Sequence, residues 1–149
     1  MRAAYAALFL FGVVMMMSGA GATEPDDTLV IKSDGKEITF RIETARTPGE
    51  QARGLMFRRS LADDAGMLFA YEDEQVIHMW MRNTYISLDM LFIAADGRIA
   101  RIAAETEPFS ETTISSGSKV VGVLEIPGGR AAVLGIRVGD VVVHEHFKP

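Results

Sequence analysis

The sequence predicts an all-β domain, a compact sandwich or barrel with one or two short helices. About seven runs of β-branched and apolar residues follow one another, with turn signals close between them. Two of these turns are Asp-Gly dipeptides, at Asp34-Gly35 and Asp96-Gly97. Few segments carry helix signals. Short strands at close spacing are typical of closed or double-sheet β domains.

The first hairpin is the clearest element, over "LVIKSDGKEITFRIE" at residues 29–43. Both central positions of a two-residue hairpin turn need positive φ, which Asp-Gly tolerates. Counting outward from the turn predicts the strand pairs Lys32–Glu37, Ile31–Ile38, Val30–Thr39 and Leu29–Phe40. The apolar members of these pairs share one face. The hairpin is therefore predicted to have one buried face and one solvent-exposed face.

Two segments carry helix signals. In "TPGEQARG" (47–54) Thr47 is the predicted N-cap, Pro48 takes the first helical position and Glu50 completes a capping box. Gly54 is the predicted end of this helix. The second segment, "GGRAAVLG" (128–135), predicts one or two helical turns.

The remaining strands follow from apolar runs and turns. The second Asp-Gly hairpin predicts the pairs Leu91–Ile102 and Ile93–Ala100. The other predicted strands cover residues 66–71, 75–81, 119–126 and 138–145, with the acidic segment "EDE" as a turn between the first two.

Residues 1–22 predict a signal peptide. Arg2 precedes the apolar run 3–17, and Ala20 and Ala22 form an A-x-A cleavage site. An uncleaved membrane anchor is the alternative, although the run is short for a span. We expect cleavage after Ala22, a flexible lead-in at 23–28 and one β-rich domain at 29–149, exported to the periplasm or the medium, with no stable membrane insertion.

Composition restricts the class of protein. The chain has 149 residues, 48% of them hydrophobic, and no cysteine, so no disulfide holds the exported domain together. Its 15 basic and 20 acidic residues give a net charge of −5. No block of Lys and Arg stands out, which argues against a nucleic-acid partner.

Several segments in a fixed order resemble a known family. They are "GLMFR" (54–58), "GMLF" (66–69), "WMRNT" (80–84), "LDMLF" (88–92), "ADG" (95–97), "LEIPGG" (124–129) and "LGIRVGD" (134–140). Over residues 29–144 the chain resembles domain-of-unknown-function family 192 (DUF192), small β-rich proteins that often carry signal peptides. Ser87 and Met79 depart from its usual pattern. The resemblance implies a jelly-roll-like sandwich and brings no activity or cofactor.

The segment "QVIHMWM" (75–81) predicts a two-faced strand. Alternation places His78, Trp80 and Arg82 on the face opposite the core. An indole, an imidazole and a guanidinium together suit stacking on a sugar or holding an anion. The alternative is an indole packed on an apolar edge with the arginine stem beside it.

Four further residues are candidates for the same site. Asn83 begins the loop after that strand, where its amide can bind a ligand or satisfy the local backbone. Asp89 and Glu125 are lone charges in apolar runs and must be paired or hydrogen-bonded. Arg58 is among the nearby arginines. Buried carboxylate–arginine pairs and a ligand-facing polar cluster both account for these residues.

The predicted function is non-catalytic binding of a small polar molecule, a glycan or an envelope protein. The candidate ligand-binding residues are Trp80, Arg82, Asn83, Asp89, Arg58 and Glu125. One alternative is a hydrolase that uses Asp89 and Glu125 as acid and base. Another is Cu(I) handling by "HMWM" (78–81), although strand alternation separates its ligands. No motif for a nucleophile, a metal or a cofactor is present.

Overall fold

The computed structural model describes residues 27–147, which form seven strands and two short helices. In chain order the elements are β1 Asp27–Ser33, β2 Lys36–Ala45, α1 Pro48–Arg53, β3 Ala65–Met79, β4 Leu88–Ile93, β5 Ile99–Ala103, β6 Ile114–Pro127, α2 Arg130–Leu134 and β7 Val141–Val143. The predicted signal peptide lies outside the described residues.

All seven strands belong to one sheet in the order β5-β4-β6-β3-β2-β1-β7. The sheet curls into a half-barrel, which confirms the all-β prediction. Neighbouring strands are antiparallel except for β2 and β3, which run parallel. An isolated bridge between Arg98 and Val141 brings the two ends of the sheet together. The curl thereby protects edges that would otherwise expose unpaired backbone groups.

The first hairpin has the predicted register. Leu29 lies opposite Phe40, and Ile31 lies opposite Ile38. Leu29, Ile31 and Phe40 are buried, so the apolar face is the inner one. Strand pairing already begins at Asp27, so the last two residues of the predicted lead-in belong to β1.

The second hairpin is predicted correctly in part. Leu91 lies opposite Ile102 as expected, but Ile93 pairs with Ile99 and not with Ala100. A register shift between Phe92 and Ile93 causes the difference. Counting outward from a turn assumes one residue for one residue, and a bulge breaks that count.

Three strand boundaries also differ from the prediction. Residues 66–71 and 75–79 are parts of a single strand, β3, and residues 80 and 81 lie beyond its end. The segment "EDE" is a register irregularity against β6 and not a turn between strands. The strand predicted at 119–126 begins at Ile114, and that predicted at 138–145 is reduced to Val141–Val143. Bulged positions lack clear alternation, which conceals strand continuity in the sequence.

Helix α1 forms as its capping residues predict. The Thr47 side chain accepts from the backbone N–H of Glu50, and the Glu50 carboxylate accepts from that of Thr47. Pro48 is the first helical residue, and Gly54 is the C-cap with a φ of 47°. The Gln51 side chain of this helix donates to the Ala70 carbonyl at 2.9 Å, which holds α1 against β3.

Buried side chains form two clusters, one on each face of the sheet. Strand β6 contributes to both, because its side chains alternate: Leu124 and Ile126 belong to the larger cluster, and Val123 belongs to the smaller one. Glu125 therefore shares the face of Val123. Within residues 27–147 no helix has the length and apolar character to cross a membrane.

Candidate functional site

A cavity of about 210 Å³ opens between α1, the segment that follows it, and strands β3 and β6. It lies on the sheet face of the smaller core cluster. Its lining residues are Gln51, Ala52, Arg53, Gly54, Leu55, Met56, Phe69, Tyr71, His78, Met79, Trp80, Thr84 and Glu125. Two of the candidate residues, Trp80 and Glu125, meet here.

Glu125 lies deep in the cavity and is only 4% exposed. Its carboxyl group makes no hydrogen bond or ion pair with any residue in the described part of the chain. Every fully enclosed side-chain oxygen or nitrogen in that part has a partner, so the carboxyl oxygens of Glu125 reach the cavity itself. Burial raises the pKa of Glu125 to about 8 because desolvation disfavours the charged form. The group is therefore a neutral carboxylic acid at pH 7.

Tyr71 lies on the same face of β3 as Phe69, beside Glu125. Burial and the neighbouring Glu125 raise the pKa of Tyr71 to about 12, with burial the larger cause. Among residues 27–147 its hydroxyl has no hydrogen-bond partner. Glu125 and Tyr71, each with a neutral O–H group, therefore line one cavity that also has apolar walls. Tyr71 also borders a second cleft that Glu72, Asp73 and Glu74 line.

A guanidinium and an imidazole lie at the rim of the cavity. Arg53, in the last turn of α1, and His78, near the end of β3, are both exposed. Neither side chain makes an ion pair or hydrogen bond within the described residues. An arginine keeps its charge at every physiological pH. The rim is thus positive above a neutral floor.

Trp80 lines the cavity and stays 47% exposed. The Arg82 guanidinium lies 5.5 Å from the centre of the indole ring and also pairs with Glu111 at 3.3 Å. Both side chains are on the predicted outer face of the segment, and Met81 is fully buried. Arg82 supports the indole without lining the cavity.

Asn83 is exposed and does not line the cavity. Its φ is 54°, and its carbonyl accepts from the N–H of Phe57 at 2.9 Å. Asn is one of the few residues that adopt this left-handed conformation readily. Its role is therefore to turn the chain so that Thr84, the next residue, is buried against the cavity wall.

An exposed aromatic cluster of Phe57, Tyr85 and Phe109 stands beside the cavity. The Tyr85 ring lies 6.4 Å from Phe57 and 5.0 Å from Phe109. Phe57 and Tyr85 directly follow Met56 and Thr84, which line the cavity. Aromatic surface thus continues outward from this wall.

Asp89 is fully buried, and its partners are backbone amides. Its carboxylate oxygens accept from the N–H groups of Glu105, Gly129 and Ala131, each at 2.8 Å. Of the alternatives that the sequence left open, pairing of Asp89 with an arginine is therefore wrong. Three donors from the chain satisfy the carboxylate as completely as a guanidinium would, and two of them are free N–H groups at the start of α2.

Asp89 and Glu125 lie on opposite faces of the sheet. Asp89 is paired with Ile126 across β4 and β6, and Glu125 is paired with Met90. Adjacent residues of a strand point to opposite faces. A hydrolase needs both carboxylates at one bond, so this arrangement contradicts a shared acid–base role for them.

Arg58 belongs to a different surface. It forms a two-pronged ion pair with Glu43 of β2, with one N–O distance of 2.7 Å. Hydrogen bonding to Glu43 raises the pKa of Arg58. The pair ties the segment after α1 to the sheet, and it stands beside a neighbouring cleft and not in the cavity that Glu125 faces.

The residues that could bind copper in the structure differ from those of the "HMWM" hypothesis. Met81 is buried, and its sulfur accepts from the Thr106 hydroxyl at 3.1 Å, so it is not available to a metal. Met56, His78 and Met79 do line one cavity. Within the described residues no group of three or more His, Asp or Glu side chains is arranged to hold a metal ion.

Sequence reasoning missed Tyr71 and Arg53. Tyr71 reads as an ordinary alternating strand residue, and Arg53 reads as a favourable charge in the last turn of a helix. Tyr71 could have been identified from its position two residues after Phe69, because alternate residues of a strand share one face. Glu125 was a candidate, but a lone charge in an apolar run does not reveal whether a partner exists.

Comparisons with known proteins agree with this architecture. The family model of DUF192, described as "Uncharacterized ACR", matches residues 29–144. A crystal structure described as a candidate transcription regulator from Sinorhizobium meliloti 1021 is 39% identical, with a TM-score of 0.77, and the match covers 78% of this chain and 91% of that one. A protein of unknown function from Novosphingobium aromaticivorans DSM 12444 is 43% identical, with a TM-score of 0.77, and the match covers 78% and 84%. No curated protein matches. The chain belongs to the DUF192 family.

Proposed function

We propose that this protein is an exported, non-catalytic binding protein that holds a small polar ligand in the cavity beneath Trp80. The observation that carries the proposal is Glu125, a carboxyl group that is 4% exposed, unpartnered within the described residues and open to that cavity. Buried polar groups are almost always hydrogen-bonded in folded proteins. A ligand that bonds to Glu125 would complete its hydrogen bonding.

The surroundings of Glu125 support the same proposal. The cavity of about 210 Å³ lies below the roughly 300–1,000 Å³ of sites for drug-sized molecules, so the ligand is a small metabolite or one terminal group of a larger molecule. Phe69, Leu55 and the exposed Trp80 offer apolar contact. Polar and apolar groups thus line the cavity together, and sites for small ligands combine apolar contact with placed polar groups.

Two other activities receive less support. Hydrolysis by Asp89 and Glu125 conflicts with their positions on opposite faces of the sheet. A role in transcription, suggested by the description of the Sinorhizobium meliloti relative, would need a cationic surface for DNA. This chain has a net charge of −5.

Cu(I) binding is the second candidate function, because one observation favours it. Two thioethers and an imidazole, from Met56, Met79 and His78, line the same cavity. Such soft donors select Cu(I). The two candidates differ in the residue on which they depend, since Cu(I) binding would need Met56 and ligand binding would need Glu125.

A thermal-shift screen of the mature chain against sugars, cell-wall fragments, small acids, small amines and Cu(I) tests the proposal. A ligand that binds only the folded state raises the melting temperature. Ala52→Phe, on the exposed surface of α1 at the cavity, should abolish the shift by filling the site. Ala132→Phe on α2 is the matched control.

The outcomes separate the candidates. A stabilising small molecule whose effect Ala52→Phe removes and Ala132→Phe leaves intact would support the cavity as the site. A shift with Cu(I) alone, lost in Met56→Leu and kept in Glu125→Gln, would favour copper. No cavity-dependent shift would overturn the proposal. Export is tested separately: the intact mass of protein recovered from the periplasm or medium should begin at Thr23.

A further inference from the structure

We propose that the ligand is a small organic anion, a carboxylate with an apolar body, whose oxygens accept hydrogen bonds from the Glu125 carboxyl and the Tyr71 hydroxyl. This inference rests on the proposed function and names its ligand class. It is carried by the arrangement of the cavity, which is lined by two O–H groups and one guanidinium that have no partner within residues 27–147.

The floor of the cavity carries two hydrogen-bond donors. A neutral carboxylic acid and a phenol each donate one O–H, and both can reach an acceptor in the cavity. Burial raises the pKa of Glu125 to about 8 and that of Tyr71 to about 12, so both groups are protonated at neutral pH. A carboxyl group kept neutral by an apolar site is a known way to donate a hydrogen bond to an oxyanion.

The charged and titratable groups around Glu125 favour a negatively charged ligand. From α1 the facing charged group is Arg53; from β3 the facing titratable groups are Tyr71 and His78. Strand β4 presents the uncharged Met90 beside Glu125, and its carboxylate, Asp89, points to the other face. Among residues 27–147 no second carboxylate lines the cavity. The electrostatic environment therefore favours an anion over a cation.

The walls of the cavity offer apolar contact to the remainder of the ligand. Leu55, Met56, Phe69 and the face of Trp80 surround the donors with apolar and aromatic surface. Such walls bind hydrocarbon or an aromatic ring through burial. A fully polar anion such as phosphate would leave this surface unused, whereas a carboxylate with a short apolar body matches both parts.

A cationic ligand would show the opposite dependence of affinity on pH. An amine would bind the ionised Glu125 and release a proton, so its affinity would rise as pH increases through 8. An anion needs the protonated form, so its affinity would fall over the same interval. The sign of the pH dependence thus identifies the class without knowledge of the natural ligand.

Benzoate, benzamide and benzylamine are suitable probes, because they share a ring and differ in charge. Trp80 is the one tryptophan in the sequence, so its indole N–H signal in an NMR spectrum reports directly from the cavity. We expect benzoate to shift this signal at the lowest concentration and benzylamine to have little effect. Tighter binding of benzylamine than of benzoate would overturn the inference.

The pH series and variants test the donors. Between pH 7 and pH 9 the protonated fraction of a group with a pKa of about 8 falls about tenfold, and the affinity for benzoate should fall by about the same factor. Glu125→Gln, which stays neutral, should bind benzoate with the same affinity at both pH values. Tyr71→Phe and Arg53→Gln should weaken binding, and Tyr85→Phe and Arg59→Gln, outside the cavity, should not.

The result also separates this inference from the proposal beneath it. If a sugar or an amine binds in the cavity and benzoate does not, the cavity is a binding site and the anion inference is wrong. If benzoate binds with an affinity that is unchanged between pH 7 and pH 9, Glu125 is not the donor and the inference is overturned. If no probe and no compound of the screen binds, both fail.

Discussion

Glu125 should make the stability of this protein depend on pH in a direction opposite to that of most carboxylates. Its pKa is about 8 in the folded protein and has an ordinary value of 4.5. Because the folded-state pKa is raised, the unfolded chain loses its proton first. Stability is therefore fully present below pH 4.5 and falls as the pH rises towards 8.

The magnitude follows from the two pKa values. Each pH unit between them corresponds to about 1.4 kcal/mol, so full ionisation of Glu125 costs the folded state on the order of 4–5 kcal/mol. Between pH 5 and pH 8 the free energy of unfolding should fall by about 3 kcal/mol from this group alone. That is a large part of the roughly 5–15 kcal/mol that stabilises a typical domain.

Urea unfolding of the parent and Glu125→Gln at pH 5, 6, 7 and 8 measures this effect. Glutamine imitates the neutral acid, so the two proteins should differ by about 1 kcal/mol or less at pH 5, and the variant should be more stable by about 3–4 kcal/mol at pH 8. Glu107→Gln, at an exposed position, is the control and should follow the parent at every pH. Parallel curves for the parent and Glu125→Gln would refute the buried, unpartnered state of Glu125.

Two further predictions concern contacts far from the cavity. His144 lies 2.6 Å from the Asp27 carboxylate, and hydrogen bonding to His144 lowers the pKa of Asp27 below 3.8. Asp27→Asn should therefore lower the free energy of unfolding at pH 7. Urea unfolding should show that this difference from the parent shrinks as the pH falls below 3.8. Gly35 and Gly97 both have positive φ, but a Cβ at Gly97 would lie 2.6 Å from the Val142 carbonyl oxygen, and one at Gly35 would contact nothing within 4 Å. Gly35→Ala should cost about 1 kcal/mol and Gly97→Ala clearly more, and equal losses in thermal melts would contradict this reasoning.

The elements that local chemistry determines could be predicted from the sequence. The turn at Asp34-Gly35 sets the register of its hairpin, and Thr47, Pro48 and Glu50 set the start of α1. The bulges could not be predicted, because an inserted residue interrupts the alternation of the strand in the same way as a turn between two strands does. The continuity of β3 through "EDE" was missed for this reason.

Some residues of the candidate site could be predicted from the sequence, but their positions relative to one another could not. Alternation correctly placed Trp80 and Arg82 outside and Met81 inside. It could not show that Glu125 lacks a partner or that Tyr71 lies next to it, because these facts depend on which strands become neighbours in the sheet. Strand order here is set by long-range packing, with β6 between β3 and β4.

The last prediction concerns Asp89, the buried carboxylate that does have partners. Its Oδ1 accepts from Glu105 and Gly129, and its Oδ2 accepts from Ala131. In Asp89→Asn the amide nitrogen must replace one oxygen, and in the best orientation it faces the Ala131 N–H, donor against donor. A buried donor left without an acceptor costs about 1–3 kcal/mol, and the loss of charge weakens the other two bonds. We expect a total loss of about 3 kcal/mol by urea unfolding.

Asn83→Ala is the matched comparison for Asp89→Asn. Asn83 is exposed, and its backbone hydrogen bond to Phe57 survives the change. The left-handed conformation of alanine costs about 1 kcal/mol, and the change also removes a weak 4.0 Å contact of the Asn83 amide with the Met56 sulfur. A large loss at Asp89 beside a small one at Asn83 would establish Asp89 as the residue that joins α2 and the loop at Glu105 to β4. An unfolding curve for Asp89→Asn that overlays the parent would mean that the three amides find other acceptors, and the structural role of Asp89 would then be wrong.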